Sequence, residues 1–202
     1  MKLTEMTVKD YLDLLASDAP APGGGSASAF CGAQGAGLCA MVAALTMGKK
    51  KYVDHQALCE RVRAEVLDLK HALTAQIDAD TEAYGLITDA LALPKDSDEQ
   101  KHARRDALRA ATLEATHVPL RTLELSRRAL ELTVQLVGHS NTSCVSDLGV
   151  ACHNLLACAE GAYLNVEINL PGLGDEQLAA HMKEKGEAEL HLCRDLAAKA
   201  RG

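Results

Sequence analysis

Apolar side chains recur every three or four residues along most of this chain, which is the spacing of one face of an α-helix. The longest such stripe predicts a helix over 54–93, opened by Asp54 as amino-terminal cap and closed by Pro94. Its members are Leu58, Val62, Val66, Leu69, Leu73, Ile77, Tyr84, Ile87 and Leu91. Between Ile77 and Tyr84 the stripe requires one more member, and Asp80 occupies that place. The pattern therefore predicts a carboxylate that faces into the protein.

An inward carboxylate must be paired, hydrogen-bonded or shifted in pKa. Asp80 is therefore a candidate general base or ligand anchor. The alternative is a structural Asp that caps or bridges a neighbouring helix, and the pattern alone does not separate the two.

The same periodicity predicts the rest of the secondary structure. Helices are expected over 7–16 with Thr7 as cap, over 26–46, from Asp96 or Ser97 to 138 with a kink at Pro119, over 145–168, and from Asp175 onward. No stretch alternates with period two, so the chain is predicted to be all-α. We expect one domain over 1–202, a multihelical bundle with two long helices and a buried small-residue helix. Long helices with leftover apolar faces favour pairing with a second copy, hence a homodimer.

Composition narrows the class of protein. The chain has 202 residues, no Trp and one Phe, so Leu, Ala and Val must fill its core. A net charge of −7, with no basic stripe between aromatics, argues against nucleic acid as a partner. Seven cysteines without a CxxC pair or a secretory signal favour a reducing, cytoplasmic location and no metal site.

One segment, 19–48, carries no charged side chain and is long enough to cross a membrane. It is dominated by Ala, Gly and Ser, whose hydrophobic gain is too small for insertion, so a buried helix and no membrane contact are predicted. Gly32, Ala36 and Ala40 recur every four residues, which would let a neighbouring helix approach closely.

The start of that segment and the residues after it could bind an anion. Pro22, Gly23, Gly24, Gly25 and Ser26 could bring backbone N–H groups and a helix amino end towards a ligand. A plain turn is the alternative. Three consecutive lysines, Lys49, Lys50 and Lys51, follow with Tyr52, and a solvated turn is the alternative for them.

Two further polar features lie on the helix predicted over 145–168. Asp147 falls in its first turn, where ordinary stabilisation by the helix dipole is the alternative to a functional role. Small and polar residues recur on one face and predict either a buried cleft or interhelical hydrogen bonds. They are Asn154, Cys158, Gly161, Asn165 and Asn169.

Several of these segments, in this order, resemble the formiminotransferase-cyclodeaminase family, specifically its cyclodeaminase module and the related stand-alone methenyltetrahydrofolate cyclohydrolases. The similar segments are APGGGS at 21–26, GKKKY at 48–52, DADTEAY at 78–84, LPK at 93–95, VPL at 118–120, SD at 146–147 and LNVEINL at 164–170. They cover the chain from about residue 5 to about residue 195. Where turns of the family read Gly-Asn, this chain has Gly138-His139, with Asn141 later.

The resemblance implies a helical homodimer that acts on a tetrahydrofolate substrate without a metal or cofactor. Cyclohydrolases interconvert 5,10-methenyltetrahydrofolate and 10-formyltetrahydrofolate, whereas cyclodeaminases convert 5-formiminotetrahydrofolate to the methenyl form and release ammonia. We expect cyclohydrolase activity because no formiminotransferase domain is attached. Cyclodeaminase activity, or a folate-binding or scaffold module without turnover, are the alternatives.

The resemblance also implies roles for individual residues. Asp80 would handle the proton of N10 or water, or anchor the pterin ring, and Asp147 would stabilise the methenyl carbon or hold a water. Tyr84 and Lys50 would donate or orient protons. The remaining expected substrate contacts are Pro22, Gly23, Gly24, Gly25, Ser26, Lys49, Lys51, Tyr52, Ser146 and Asn165, with the lysines at the glutamate tail.

Overall fold

Six α-helices account for most of residues 2–200, the part of the chain that the computed structural model describes. They are α1 (Val8–Leu15), α2 (Gly24–Thr46), α3 (Gln56–Ala92), α4 (Asp98–Gln135), α5 (Val145–Asn169) and α6 (Glu176–Lys199). Short 3-10 segments lie at Leu3–Glu5, Lys50–His55, Thr142–Cys144 and Leu170–Leu173. No strand occurs within residues 2–200, and α3 and α4 are the two long helices, so the all-α prediction is confirmed.

Predicted capping residues open three of the six helices, α1, α4 and α6. The hydroxyl of Thr7 accepts a hydrogen bond from the Asp10 N–H, and Ser97 opens α4 in the same way. Asp175 caps α6 by accepting from the Leu178 N–H at 3.0 Å. The prediction that Asp54 caps α3 is wrong, because Asp54 lies inside the 3-10 segment Lys50–His55 that precedes the helix.

Helix α2 forms the centre of the bundle, between α3 and α5. By length and composition it could cross a membrane, but 12 of its 23 residues are buried inside the bundle, as predicted for a core helix. Its small residues permit this packing. A Cβ on Gly32 would lie 2.6 Å from the Cys158 sulfur, and one on Gly35 would lie 2.7 Å from Leu155 Cγ. Both positions therefore require glycine.

Hydrogen bonds at the two ends of α2 show that α3 runs antiparallel to it. Ser26 at the amino end meets Asp80, whereas Gly48, just past the carboxyl end, donates its N–H to Gln56 Oε1 at 2.8 Å. Gly48 has a φ of 75°, a left-handed conformation that glycine adopts readily after a helix. Helix α5 is also antiparallel to α2, since Asn165 lies beside Gly24.

A proline in α4 leaves one backbone carbonyl without its helical partner. Pro119 has no N–H, so the Ala115 carbonyl four residues earlier cannot receive the usual intrahelical bond. The side-chain amide of Asn169 donates to that carbonyl at 2.8 Å instead. Helix α4 continues through Pro119 from Asp98 to Gln135, and the missing bond is replaced from α5.

The seven cysteines, which all lie within residues 2–200, form no disulfide bond, and six of them are buried. Burial raises the pKa of Cys39 and of Cys158 to about 12. These thiols therefore stay protonated near neutral pH and fill space in the core as small apolar groups.

The amino-terminal residues are fixed to α3 by a buried carboxylate. Asp78 accepts hydrogen bonds of 2.6 Å from the Leu3 N–H and from the Thr4 hydroxyl. Behind this anchor Tyr11 packs against Phe30, with ring centroids 5.3 Å apart. Helix α1 is thereby held over α2, a few residues before the start of the glycine-rich segment.

Candidate active site

A cavity of about 350 Å³ opens at the amino end of α2, where the helix meets α3 and α5. Among the residues that line it, Asp80 is the only charged side chain. The lining residues are Pro20, Ala21, Gly23, Gly24, Gly25, Asp80, Thr81, Tyr84, Ile87, Ala115, Asn165, Ile168 and Asn169. The cavity thus brings together the glycine triplet, the inward Asp and the Asn strip, which the sequence places more than fifty residues apart.

The glycine triplet forms the first turn of α2 rather than a loop in front of it. Gly23 is the cap and Gly24 is the first helical residue, two positions earlier than the predicted start at Ser26. The N–H groups of Gly24 and Gly25 therefore have no acceptor inside the helix. They provide donors, and the partial positive charge of a helix amino end, at the cavity wall.

Gly25 leaves room for Asp80. A Cβ on Gly25 would lie 1.9 Å from Asp80 Oδ1 and 2.5 Å from its Cγ, which no side chain tolerates. From the sequence we expected the glycines to let a ligand approach the backbone. In the structure the carboxylate itself makes the close approach, while Gly23 has open space around its Cα.

Asp80 combines both roles that the sequence left open. Its Oδ2 accepts from the Ser26 N–H at 2.8 Å and from the Ser26 hydroxyl at 3.1 Å, so Asp80 caps α2 from the neighbouring helix. Its Oδ1 lies over Gly25 at the cavity and has no hydrogen bond within the described residues. Burial raises the pKa of Asp80, and the bonds from Ser26 oppose that rise. A carboxyl of raised pKa with one free oxygen is suited to accept a proton.

Two further side chains of α3 lie beside this carboxylate. Tyr84 is one turn beyond Asp80 in the cavity wall, and 41% of its surface is exposed. The hydroxyl of Thr81 lies 3.2 Å from the Ser26 hydroxyl, with either atom as donor. Tyr84 is therefore placed at the mouth of the cavity, whereas Thr81 supports Ser26.

The wall from α5 carries two asparagines one turn apart. Asn165 donates its side-chain N–H to the Gly161 carbonyl at 2.8 Å. Asn169 donates to the Ala115 carbonyl and, at 2.9 Å, to the Asn165 carbonyl. The predicted Asn165 site residue is thus at the cavity, together with Asn169 from the same polar strip.

The other predicted site residues lie at the opposite end of α2. Lys49, Lys50, Lys51 and Tyr52 follow its carboxyl end, and Ser146 and Asp147 lie in the first turn of α5. The Tyr52 hydroxyl accepts from the Thr142 N–H at 3.0 Å, which fixes this turn to the start of α5. A helix of 23 residues is about 35 Å long. Within one chain the predicted residues therefore form two separate groups.

The turn at Gly138 and His139 lies near the carboxyl end of α2, which is followed by Lys49, Lys50 and Lys51 and is called the lysine end below. The rings of His139 and His55 lie 4.8 Å apart. Asn141 is buried, and its side-chain amide donates to the Leu45 carbonyl at 3.3 Å. Its backbone N–H donates to the Thr46 hydroxyl at 2.9 Å. Asn141 therefore fastens the turn to α2.

Sequence reasoning missed Thr81 and Ala115 as lining residues. Thr81 follows Asp80 directly but does not belong to the apolar stripe. For Ala115, the position four residues before a helical proline was the available signal, because such a carbonyl needs an outside donor. Among residues 2–200, no three His, Cys, Asp or Glu side chains come together as a metal site would require.

The chain is similar in sequence to known proteins. Residues 7–188 match the family model described as Formiminotransferase-cyclodeaminase. The methenyltetrahydrofolate cyclohydrolase of Methylorubrum extorquens is 41% identical over 86% of this chain and 83% of its own length. The mouse formimidoyltransferase-cyclodeaminase is 32% identical over 86% of this chain, which spans about a third (32%) of that longer protein.

A solved structure is similar along the whole chain. The formiminotetrahydrofolate cyclodeaminase of Thermotoga maritima matches with a TM-score of 0.87 and 25% identity, over 99% of this chain and 96% of its own. Sequence and fold therefore lead to the same group of proteins, and the chain belongs to the formiminotransferase-cyclodeaminase family.

Proposed function

We propose that this chain is a methenyltetrahydrofolate cyclohydrolase, which interconverts 5,10-methenyltetrahydrofolate and 10-formyltetrahydrofolate. The observation that carries the proposal is Asp80, a half-buried carboxylate with one free oxygen and the only charged side chain among the described residues that line the cavity. The cyclohydrolase from Methylorubrum extorquens, similar over most of both chains, supports the choice of reaction.

The proposed chemistry needs a base that can also return a proton. Water adds to the methenyl carbon between N5 and N10, and Asp80 accepts one proton of that water, which leaves a neutral tetrahedral intermediate. The bond from carbon to N5 then breaks as the hydroxyl of the intermediate loses its proton and N5 gains one, which leaves the formyl group on N10. Overall the methenyl cation and water give the 10-formyl product and one proton. A carboxyl whose pKa is raised by burial can serve both transfers.

Cyclodeaminase activity is the second candidate, and a specific observation favours it. The formiminotetrahydrofolate cyclodeaminase of Thermotoga maritima matches over 96% of its own chain, so a chain of this size is compatible with cyclodeaminase activity as well. The presence or absence of an attached transferase domain therefore separates the two reactions less well than we expected from the sequence. The higher identity to the cyclohydrolase, 41% against 25%, is the reason for our order.

Two substrates offered in parallel test the proposal. With 5,10-methenyltetrahydrofolate we expect loss of its near-ultraviolet absorbance and formation of 10-formyltetrahydrofolate. With 5-formiminotetrahydrofolate we expect no release of ammonia above the uncatalysed rate. Rapid ammonia release would decide for the cyclodeaminase. Binding of both folates without product would decide for a binding or scaffold module.

We also propose that the enzyme acts as a homodimer in which each site combines residues of both copies. The support is the separation of the two groups of predicted site residues by the length of α2, about 35 Å. A second copy related by a two-fold axis could place its lysine end beside the cavity of the first. Apolar side chains around the cavity support a covered surface, since Leu164 is 64% and Ile168 77% exposed.

Mixing two inactive variants tests the shared site. Lys50→Ala and Asp80→Asn are each expected to be inactive alone. In random mixed dimers, half of the molecules contain one copy of each variant, and one of their two sites then has both wild-type residues. Co-expression should restore about a quarter of wild-type activity. If Lys50 and Asp80 of the same chain cooperate, no activity returns, and the shared site is excluded.

A further inference from the structure

The α5 wall of the cavity presents two amide groups whose orientation is fixed by the backbone around them. Both N–H bonds of the Asn169 side chain are used, one on the Ala115 carbonyl and one on the Asn165 carbonyl. A side-chain oxygen cannot donate to a carbonyl, so the amide cannot be flipped. Its Oδ1 is therefore the atom left to accept a hydrogen bond.

The orientation of the Asn165 side-chain amide is fixed in the same way. Its Nδ2 donates to the Gly161 carbonyl, and the side chain lies against Gly24, where an added Cβ would be 3.4 Å from Nδ2. Its Oδ1 accepts no hydrogen bond within residues 2–200. Because i and i+4 positions lie on one face of a helix, the two amide oxygens form a pair of acceptors one turn apart.

The two sides of the cavity thus differ in chemistry. The first turn of α2 offers N–H donors from Gly24 and Gly25, whereas α5 offers two amide oxygens that no group within residues 2–200 satisfies, with one remaining N–H of Asn165 beside them. Both asparagines are partly exposed at the cavity wall, so solvent reaches their oxygens while the cavity is open. A ligand that fills the cavity displaces that solvent and must bring N–H groups to this wall, since an acceptor enclosed without a partner is costly. The reduced pterin ring carries N–H donors at its 2-amino group, at N3 and at N8.

From this pair of acceptors we infer that Asn165 and Asn169 bind N–H groups of the reduced pterin ring and select the substrate by them. The inference rests on the proposed folate activity and assigns different roles to the residues of the cavity. The asparagines hold the ring, and Asp80 is then available for the proton of water instead of anchoring the pterin. Asn169 has a second task, since it also replaces the helical bond that Pro119 removes from α4.

Tetrahydrofolate analogues that lack single N–H donors test the inference without requiring turnover. Affinities for tetrahydrofolate, its 8-deaza analogue and its 2-desamino-2-methyl analogue are measured by calorimetry. One hydrogen bond to an amide oxygen of the cavity wall corresponds to about tenfold in affinity. We expect the wild type to bind at least one analogue about tenfold more weakly than tetrahydrofolate.

The variants Asn165→Ala and Asn169→Ala should lose this discrimination. In at least one of them, the affinity ratio between tetrahydrofolate and an analogue should fall to within about twofold. A loss of stability from the freed Ala115 carbonyl would weaken all three ligands alike, so the ratio reports binding and not folding. Asn154→Ala, the same substitution three to four turns earlier in α5 and outside the cavity, should keep the wild-type ratios.

The outcomes separate this inference from the proposed function. A wild type that turns over methenyltetrahydrofolate but binds all three ligands equally, or variants that keep both ratios, would overturn the role of the asparagines and leave the activity standing. A wild type with neither turnover nor affinity for tetrahydrofolate would overturn both.

Discussion

Replacement of Asp80 by Asn should reduce turnover about a thousandfold, the range expected for loss of a general base. Asn keeps the shape and can still accept from the Ser26 N–H, so the cap on α2 survives while the proton acceptor is lost. Turnover of methenyltetrahydrofolate by the purified variant, measured with the unfolding midpoint, checks both parts. A variant that retains more than about a tenth of wild-type turnover would exclude Asp80 as the base.

The same substitution should not destabilise the protein at neutral pH. Burial raises the pKa of Asp80 in the folded state, so the folded protein holds this proton more tightly than the unfolded chain does. The contribution of Asp80 to the free energy of unfolding is then greatest below the unfolded pKa, about 3.9, and is lost as pH rises through the folded pKa. Removing the charge at pH 7 should leave the unfolding midpoint unchanged or higher. The turnover of the wild type should rise with pH through that folded pKa.

Asp78 provides a matched control two residues away on the same helix. It accepts hydrogen bonds from Leu3 and Thr4 and does not line the cavity. Asp78→Ala leaves two donors of the amino-terminal segment without their acceptor and should cost about 1–3 kcal/mol of stability. Its turnover should stay within a few-fold of wild type, which is the opposite pattern to that of Asp80→Asn.

Gly25→Ala should be the most damaging single-methyl change in α2. Its Cβ would lie 1.9 Å from Asp80 Oδ1, so the carboxylate must leave its position and its bonds to Ser26. A displacement of about 1 Å at a reacting group costs about a hundredfold in rate, and overpacking costs about 1–3 kcal/mol of stability. We expect kcat/KM to fall about a hundredfold and the midpoint of urea unfolding to fall with it.

Gly37→Ala is the control for the glycine prediction. Gly37 lies in the same helix, and an added Cβ would have no atom within 4 Å. Alanine stabilises a helix interior by up to about 1 kcal/mol over glycine, so this variant should keep full activity and unfold at the same or higher urea concentration. Equal behaviour of the two alanine variants would contradict the tight fit of Asp80 over Gly25.

Much of the fold could be predicted from periodicity because each helix carries its own signal. The gap in the apolar stripe at Asp80 placed a carboxylate in the interior, and the structure confirms it at the wall of the cavity. Val8 and Leu12 show the limit of such reasoning, since they share the spacing of Tyr11 but are 62% and 51% exposed. Periodicity identifies an apolar face and does not say how much of that face the rest of the chain covers.

The candidate site was harder to assemble from the sequence because its parts are joined by long-range contacts. The glycine triplet and the lysines lie at opposite ends of one helix, α2, which the order of the motifs did not reveal. The predicted helix over 26–46 already implied this separation, because it lies between the two motifs. The hydrogen bond from Asn169 to the Ala115 carbonyl spans 54 residues, and the carbonyl is available only because Pro119 lacks an N–H. No local sequence pattern predicts such a bond.

The hydrogen bond at the Ala115 carbonyl and the cap at Ser26 both link the unfolding of the cavity to the unfolding of the helix bundle. In both, a polar side chain of the cavity completes the backbone of a helix other than its own. The geometry of the cavity is therefore tied to the docking of α2, α3, α4 and α5 and cannot relax independently of it. The site should be rigid for as long as the bundle is folded, and it should disappear in the same cooperative step rather than loosen beforehand.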